Sequence, residues 1–367
     1  MKTRAAVLRR VGQPLEVLDL EVEQPQAGEV LVRMGASSVC HSDLLVAGGV
    51  LPSSLPMVMG HEGAGTVAEV GQGVQQVRKG DRVVLSWLPQ CGHCFYCRRE
   101  QPSLCESGTA SMMRATMSDG TPRYRRNGEA VYHMAGLGTF SEYCVVSAKA
   151  LAPLPDDMPL ASASLIGCGV LTGFGAVVNT ARVRVGETVA VVGCGGVGLN
   201  AVQGARIAGA TQIIAVDPND ERLRLARSLG ATLTFKPGPD LVPGVRAATD
   251  GHGVDVALEV AGRQESVHDA VRLARRGGRV ILVGAAASDV SLNVQVYTGL
   301  VLTEKTIRGS LYGSAHVQIE VERLVALYRA GRLKLDELVT ETFRFDQVND
   351  AMAYCAAERG ARAVMLF

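Results

Sequence analysis

Four cysteines lie close together in one segment of the sequence, residues 90–106. Two residues separate Cys91 from Cys94 and Cys94 from Cys97, and seven separate Cys97 from Cys105. Thiols this close in sequence cannot be buried independently, whereas short Cys-x-x-Cys turns bring soft donors to one point, as tetrahedral zinc requires. Disulfides are the alternative, although such runs in large chains usually bind metals or carry out redox chemistry. The segment therefore predicts a structural zinc site, because four thiolates leave no open position for a substrate.

Other metal-binding residue types are spread along the chain. Cys40 and Asp43 lie in one turn-prone segment, His61 and Glu62 lie in another, and Cys168 follows more than 100 residues later. A cysteine or histidine taken alone is more often a packed core residue. Two thiolates and one imidazole, however, would leave the fourth position of a tetrahedral zinc open, which is the arrangement of a catalytic site.

A glycine-rich motif occupies the middle of the chain. The apolar run Thr188–Val192 predicts a strand, the motif Gly193-Cys194-Gly195-Gly196-Val197-Gly198 follows it, and Leu199–Ala208 predicts a helix. In this strand–turn–helix context the glycines allow a tight turn and a close approach of the backbone to a pyrophosphate at the helix N-terminus. The alternative is a glycine-rich turn without a ligand.

The residue that follows the next predicted strand bears on the choice of cofactor. Asp217 ends the strand Gln212–Val216. A carboxylate here can accept hydrogen bonds from the ribose hydroxyls and would repel a 2′-phosphate, which favours NAD over NADP. Arg222, one helical turn further on, weakens this preference because arginine can also accommodate a phosphate.

Composition excludes several classes of protein. The 367 residues suffice for two domains, and 47% of them are hydrophobic. A formal net charge of +1 gives no indication of nucleic acid or of an anionic membrane as partner. Nine cysteines and no apolar N-terminal signal predict a reduced, cytoplasmic protein.

The pattern of elements differs between the two halves of the sequence. Short apolar runs separated by Gly and Pro up to about residue 110 predict strands that form a β-barrel-like region, and residues 111–137 read as a polar, turn-rich excursion. From residue 170 to 310, strands alternate with helices, which predicts a doubly wound parallel sheet. Ala161–Ala176 predicts a helix that carries Cys168.

Gly60-His61-Glu62, the four-cysteine segment and the glycine motif together resemble the zinc-dependent alcohol dehydrogenases of the medium-chain dehydrogenase/reductase superfamily. The resemblance extends over essentially the whole chain and is strongest to the longer members, similar to classes I and III. It implies an α/β protein with a mainly β, GroES-like catalytic domain at 1–169 and 312–367. Residues 170–311 would form a Rossmann domain that binds NAD.

The resemblance also implies roles for individual residues. Cys40, His61 and Cys168 would ligate the catalytic zinc, with Glu62 as an alternative ligand, and Asp43 would orient His61. Ser42 would take the proton of the substrate hydroxyl. The implied cofactor-binding residues are His41, Thr172, Gly193, Gly195, Gly196, Val197, Gly198, Asp217, Arg222, Val283 and Arg362. The implied substrate-pocket residues are Leu51, Trp87, Met134, Phe140 and Leu311.

The function that this resemblance implies is NAD-dependent interconversion of a hydrophobic primary alcohol (aromatic, terpenoid or medium-chain) and its aldehyde. Two zinc ions per subunit and a homodimer are expected, with a tetramer as the alternative. Leu45 stands where many relatives have a proton-relaying histidine, and His41 stands where an arginine is common. A nicotinoprotein that keeps its NADH bound, a reductase of an activated C=C or C=N bond, and a non-enzymatic binding protein remain as alternatives.

Overall fold

The computed structural model describes residues 1–367 and divides them into two units. The first unit contains residues 1–168, 316–331 and 335–367, and the second contains residues 169–315 and 332–334. All the predicted metal ligands belong to the first unit, and the glycine motif belongs to the second.

The strands and helices are numbered in chain order. The strands are β1 (Lys2–Leu8), β2 (Glu16–Val22), β3 (Glu29–Val39), β4 (Met57–Val58), β5 (Glu62–Val70), β6 (Arg82–Leu85), β7 (Tyr124–Arg126), β8 (Glu129–His133), β9 (Tyr143–Ser147), β10 (Leu151–Pro153), β11 (Thr188–Val192), β12 (Gln212–Val216), β13 (Leu233–Phe235), β14 (Val254–Glu259), β15 (Ala274–Leu282), β16 (Thr306–Gly309), β17 (Val339–Arg344) and β18 (Arg362–Leu366). The α-helices are α1 (His41–Ala47), α2 (Glu106–Arg114), α3 (Leu160–Ser164), α4 (Gly169–Gly175), α5 (Gly196–Ala208), α6 (Asp220–Leu229), α7 (Leu241–Ala247), α8 (Gln264–Leu273), α9 (Val317–Arg329) and α10 (Val348–Ala356).

The first unit is built from two β-structures. Strands β1, β2, β7, β8 and β4 close into a barrel, and a seven-stranded sheet runs in the order β10-β6-β5-β3-β18-β17, with β9 also paired to β3. Strand β3 is the centre of this sheet because it pairs with β5, β9 and β18, all antiparallel. Most of its residues are buried, since both faces carry apolar side chains. The residues that follow β3 and precede β5 are therefore held by the most extensively paired strands of this sheet.

The second unit confirms the predicted doubly wound architecture. Its six-stranded sheet has the order β13-β12-β11-β14-β15-β16, and all five pairings are parallel. Strands β11 and β12 have the predicted bounds, and their residues are almost continuously buried, as parallel strands covered on both faces require. The strand order reverses at β11, which is where such sheets bind ligands.

Two predicted segments differ in the structure. The predicted helix at Ala161–Ala176 is interrupted at Cys168, whose φ of −146° and ψ of −71° are not helical. The segment 111–137, predicted as a turn-rich excursion, contains the last residues of α2 and contributes strands β7 and β8 to the barrel. Its polar composition hid these strands because only a few of their side chains, such as Tyr124 and Val131, supply the barrel core.

None of the individual helices has both the length and the apolar character needed to cross a membrane. One bent pair, Leu160–Gly167 with Gly169–Ala181, meets the criteria of length and composition, and most of its residues are buried.

Candidate metal centre and cofactor site

The first turn of α1 fixes the orientation of His61. Asp43 is fully buried, and its Oδ2 accepts a hydrogen bond from the main-chain N–H of Cys40 at 2.8 Å. Its Oδ1 lies 3.1 Å from Nδ1 of His61. A carboxylate only accepts hydrogen bonds, so Nδ1 carries the proton and Nε2 is left as the donor atom for a metal.

The backbone before His61 requires glycine. Gly60 has a φ of +90°, and a Cβ on it would lie 2.2 Å from the ring of Phe140. Only glycine adopts this left-handed conformation without strain while letting the aromatic ring approach so closely. The turn therefore sends His61 towards Asp43 just before β5 begins.

Four potential ligands converge in the first unit. One ligand atom from each of Cys40, His61, Glu62 and Cys168 lies within 4.8 Å of the others, and all four residues are buried. Nε2 of His61 is buried without a hydrogen-bond partner, which is costly unless another group satisfies it. Two thiols, an imidazole and a carboxylate are the donors that zinc takes in proteins, so these residues fit a zinc ion.

A buried arginine neutralises part of this cluster. Nη2 of Arg362 donates to Oε1 of Glu62 at 3.2 Å, and both side chains are almost fully buried. Burial raises the pKa of Glu62 to about 7, although Arg362 acts in the opposite direction. The arginine that the resemblance assigns to the cofactor therefore also contacts the carboxylate beside the metal cluster.

The thiols and the imidazole of the cluster shift one another's pKa. A hydrogen bond with Cys168 is the largest cause of a pKa of Cys40 well below the usual value, and the pKa of Cys168 is raised correspondingly. Burial lowers the pKa of His61, but Asp43 and Cys40 more than compensate and raise it. A metal ion would compete with these protons, since ligands bind in their deprotonated form.

The predicted relay serine lies next to the cluster. Oγ of Ser42 is 3.9 Å from Sγ of Cys40, and Ser42 is half-buried on α1. His41, one residue earlier, is exposed. Both positions follow directly from the N-terminal turn of α1.

The four cysteines of residues 90–106 form a second cluster in the first unit. Their four sulfur atoms lie within 4.8 Å of one another, and none of the nine cysteines of the chain is in a disulfide. Local N–H groups point at the sulfurs: Cys94 N lies 3.3 Å from Sγ of Cys91, and Gly108 N lies 3.5 Å from Sγ of Cys105. Four converging thiols with N–H donors fit a zinc ion held by thiolates.

The thiols of this second cluster differ in acidity. Burial opposes ionisation of Cys91, but N–H groups of His93 and Cys94 lower its pKa to about 6. Burial raises the pKa of Cys97 to about 12. The loop therefore stabilises negative charge on part of the cluster through its own backbone.

The glycine motif of the second unit forms a turn between β11 and α5. A Cβ on Gly198 would lie 1.8 Å from the main-chain oxygen of Gly193, so no other residue fits this approach of helix to strand. Gly195 is the N-cap of α5, no side chain caps the helix, and a Cβ on Gly195 would meet nothing within 4 Å. The helix N-terminus is thus open to an anion, and Gly196 and Val197 begin its first turn.

Asp217 lies at the end of β12 beside this turn. Its Oδ2 accepts a hydrogen bond from Cys194 N at 2.7 Å, and its Oδ1 accepts one from Asn219 N at 2.9 Å. A carboxylate has about four acceptor positions, so two remain for further donors such as ribose hydroxyls. Three other residues assigned to the cofactor, Thr172, Arg222 and Val283, are half-buried in the same unit.

The comparisons with known proteins agree with this geometry. A family model described as "Alcohol dehydrogenase GroES-like domain" matches residues 26–156, and one described as "Zinc-binding dehydrogenase" matches residues 196–329. The chain is 41% identical to the NDMA-dependent alcohol dehydrogenase of Amycolatopsis methanolica, over 100% of this chain and 99% of that protein. The chain belongs to the zinc-dependent alcohol dehydrogenases of the medium-chain dehydrogenase/reductase superfamily. It is therefore an oxidoreductase.

Solved structures of alcohol dehydrogenases have the same fold. An alcohol dehydrogenase zinc-binding domain protein from Burkholderia ambifaria superposes with a TM-score of 0.95 at 35% identity, over 100% of this chain and 99% of that one. The benzyl alcohol dehydrogenase of Acinetobacter calcoaceticus superposes with a TM-score of 0.94 at 32% identity and the same coverage. The recognition of this dehydrogenase family from its motifs is thereby confirmed.

The residues assigned to the substrate pocket of this dehydrogenase have different environments. Phe140 and Met134 belong to one buried apolar cluster of the first unit, and Leu51 packs against that cluster. Trp87 is half-buried against the other apolar cluster of the same unit. Leu311 belongs to the second unit and is 46% exposed.

Sequence reasoning found neither polar contact of Glu62 at the dehydrogenase's metal cluster, that with Arg362 described above and one with Ser38. Oγ of Ser38 donates to Oε2 of Glu62 at 2.6 Å, and both residues are fully buried. A serine inside a strand carries no motif, so only the pairing of β3 with β5 reveals this contact.

Proposed function

We propose that this dehydrogenase interconverts a hydrophobic primary alcohol and its aldehyde with NAD as cofactor and two zinc ions per subunit. The observation that carries the proposal is the buried cluster of Cys40, His61 and Cys168, in which Nε2 of His61 has no hydrogen-bond partner. Three protein ligands leave one position for a substrate oxygen, which is the requirement for a catalytic zinc.

The residues around the cluster have separable tasks. When bound, zinc supplies a Lewis acid that lowers the pKa of a substrate hydroxyl, and NAD supplies the hydride acceptor. Ser42 would accept the proton of that hydroxyl while giving its own proton to the next member of a relay, a role supported by its hydroxyl lying 3.9 Å from the thiol of Cys40. Asp43 fixes the tautomer of His61, and the segment with Cys91, Cys94, Cys97 and Cys105 holds the second zinc as a structural element.

The choice of NAD is supported by the end of β12. Asp217 is 3% exposed and keeps two acceptor positions beyond its bonds to the backbone. A 2′-phosphate would bring two negative charges together there, whereas ribose hydroxyls supply donors. The uncapped N-terminus of α5 receives the pyrophosphate.

The class of substrate is supported by the apolar character of the pocket residues that the resemblance assigns to the first unit. Met134, Phe140, Leu51 and Trp87 have uncharged, mainly apolar side chains, and Met134 and Phe140 are buried. The similar structure from Acinetobacter calcoaceticus is described as a benzyl alcohol dehydrogenase. An aromatic primary alcohol is therefore the first substrate to test.

A homodimer is supported by an unpaired edge of the second unit's sheet. Strand β16 ends the strand order, and the preceding segment exposes Val296, Tyr297 and Val301 at 71%, 65% and 57%. Apolar surface of this kind usually marks a protein interface. Sedimentation equilibrium of the full chain measures the subunit count.

The second candidate function is that of a nicotinoprotein, which keeps its reduced cofactor bound and passes electrons to another acceptor. It is favoured by the 41% identity to an alcohol dehydrogenase that is described as NDMA-dependent. A reduced-nicotinamide absorption band that survives purification and gel filtration would support this candidate. Exchange of the cofactor during turnover would support NAD as a dissociable substrate.

The proposed function is tested with a panel of alcohols and aldehydes, each supplied with NAD or NADP. Benzyl alcohol with NAD is expected to give the largest kcat/KM, and removal of zinc by a chelator is expected to abolish the activity. Equal rates with a charged or strongly polar alcohol would contradict the substrate class. Activity that survives complete removal of the metal would contradict the mechanism.

A further inference from the structure

We propose that Ser38 is a positioning residue that keeps the carboxylate of Glu62 away from the metal. This inference rests on the proposed function, because it assumes a metal ion bound by Cys40, His61 and Cys168. It assigns to Ser38 the control of whether the fourth position of that metal stays open to substrate.

The contact follows from the register of two strands. Ser38 lies near the end of β3 and is paired with Glu62, the first residue of β5. Its hydroxyl donates to Oε2 of Glu62 at 2.6 Å, and both side chains are fully buried. A short hydrogen bond to a buried carboxylate is among the stronger hydrogen bonds in proteins.

The second oxygen of the same carboxylate is held from another strand. Nη2 of Arg362, the first residue of β18, donates to Oε1 at 3.2 Å. Ser38 and Arg362 thus each occupy one oxygen of Glu62. Metal coordination would use the same lone pairs, so these hydrogen bonds and a metal ion compete for the carboxylate.

The carboxylate of Glu62 is near enough to the other ligand atoms to compete for the metal. A carboxylate oxygen of Glu62 already lies within 4.8 Å of the ligand atoms of Cys40, His61 and Cys168. A rotation of the side chain would be enough to make Glu62 a fourth ligand, which would close the tetrahedral site. Loss of the Ser38 hydroxyl removes one restraint on that rotation and changes no charge.

Loss of the Ser38 hydroxyl should change the rate of metal release in the opposite direction to loss of the Asp43 carboxylate. Asp43 orients a resident ligand, and loss of such a partner loosens the metal. Ser38 restrains a carboxylate that is not needed as a ligand, so its loss should add a ligand and slow the escape of the metal.

The test uses the full-length protein loaded with cobalt(II) in place of zinc. Ser38→Ala is compared with Ser37→Ala, whose hydroxyl is equally buried but bonds to the main-chain oxygen of Glu62 and to Thr139. Visible absorption reports the ligands of cobalt, and transfer of cobalt to a chelator reports its release. Because the four-cysteine site is unchanged in both variants, differences between them come from the cluster around Glu62.

We expect Ser38→Ala to change the cobalt absorption bands and to slow release of cobalt from this site by about tenfold to a hundredfold, the effect of one hydrogen bond to a charged group. Ser37→Ala should keep the wild-type spectrum and release rate. In a Glu62→Gln background, Ser38→Ala should have no further effect, since the amide is a poor ligand. Ser38→Gly removes the same hydroxyl and should reproduce the result of Ser38→Ala.

Three results would overturn the inference: equal spectra and release rates for Ser38→Ala and Ser37→Ala, faster release from Ser38→Ala, or an effect of Ser38→Ala that persists with Glu62→Gln. Failure of the proposed function would look different. In that case Cys168→Ala would contain as much cobalt as the wild-type protein, which would overturn both.

Discussion

The two metal-binding clusters of the first unit are built in opposite ways. The four cysteines between residues 90 and 106 come from one segment, and three of them are half-buried. Their sulfurs accept hydrogen bonds from N–H groups of the same segment and of Gly108 just after it. The cluster of Cys40, His61, Glu62 and Cys168 is wholly buried and comes from separate parts of the chain. Its polar partners come from three elements: Ser38 lies on β3, Asp43 on α1 and Arg362 on β18.

This difference suggests different roles: the four-cysteine cluster would stabilise its own segment, whereas the buried cluster is itself held in place by the surrounding fold. Four thiolates saturate a tetrahedral ion, so on the proposed function the local segment would gain part of its structure from the metal. At the buried cluster, Cys40 directly follows β3, His61 directly precedes β5 and Arg362 begins β18, so the sheet holds these residues in place. The following variants should therefore separate loss of chemistry from loss of stability.

The largest effect is expected from Cys168→Ala. Loss of one of three ligands at the buried cluster should lower kcat/KM by about a thousandfold or more, since metal polarisation contributes several kcal/mol. The fold should survive, because the strands that form the cluster remain paired. Cys144→Ala is the matched control, since that thiol is equally buried in an apolar cluster and should leave kcat/KM unchanged. Retained activity in Cys168→Ala would refute the assignment.

Cys94→Ser should instead act on stability. Loss of one thiolate from the four-cysteine segment should remove one zinc per subunit and lower the melting temperature by about 5 °C or more. Activity measured at low temperature should fall much less than in Cys168→Ala. His93→Ala, in the same loop and exposed, serves as control. Zinc content and calorimetry measure the two effects. A Cys94→Ser variant that kept both zinc ions and the wild-type melting temperature would contradict a structural role for this segment.

Asp43→Asn should weaken metal binding at the buried cluster only. Loss of the partner that fixes the His61 tautomer is expected to reduce zinc affinity by about 10-fold to 100-fold. Competition with a chelator measures the affinity, and the zinc of the four-cysteine segment provides an internal reference. Asp350→Asn, which removes an exposed acid on α10, should change neither site.

His133 tests the stability of the closed barrel of the first unit, to which strand β8 belongs. Burial lowers the pKa of this fully buried histidine on β8 to about 4, below its unfolded value of about 6.5. The unfolded chain therefore takes up a proton first as the pH falls, and stability from neutral His133 is lost progressively between pH 6.5 and 4. The difference reaches about 2 kcal/mol by pH 5.

His133→Phe should remove this part of the pH dependence. Urea unfolding of the wild-type and variant proteins at pH 7 and pH 5 measures it, and the free energy of unfolding of the variant should fall less between the two pH values. His252→Gln, at an exposed histidine, should behave as wild type. Parallel pH profiles for wild type and His133→Phe would contradict the argument.

Features that depend on residues close together in the sequence could be predicted, whereas features that depend on distant residues could not. The spacing of Cys91, Cys94, Cys97 and Cys105 predicts a convergent cluster because a turn of two residues brings its ends together. The bounds of β11 and β12 and the glycine turn between strand and helix could also be predicted locally. The strands β7 and β8 could not, because their few core-forming side chains alternate with polar ones and only closure of the barrel explains them.

By itself, the sequence determined the family and the fold class, and it predicted the convergence of the four cysteines of residues 90–106, whose spacings are short. Only the tertiary structure decided that Arg362 contacts Glu62, that Ser38 lies opposite that carboxylate, and that Nε2 of His61 is left for a metal. The physical reason is strand register: a shift of one residue between β3 and β5 would turn Ser38 to the other face of the sheet, and no local pattern encodes that choice.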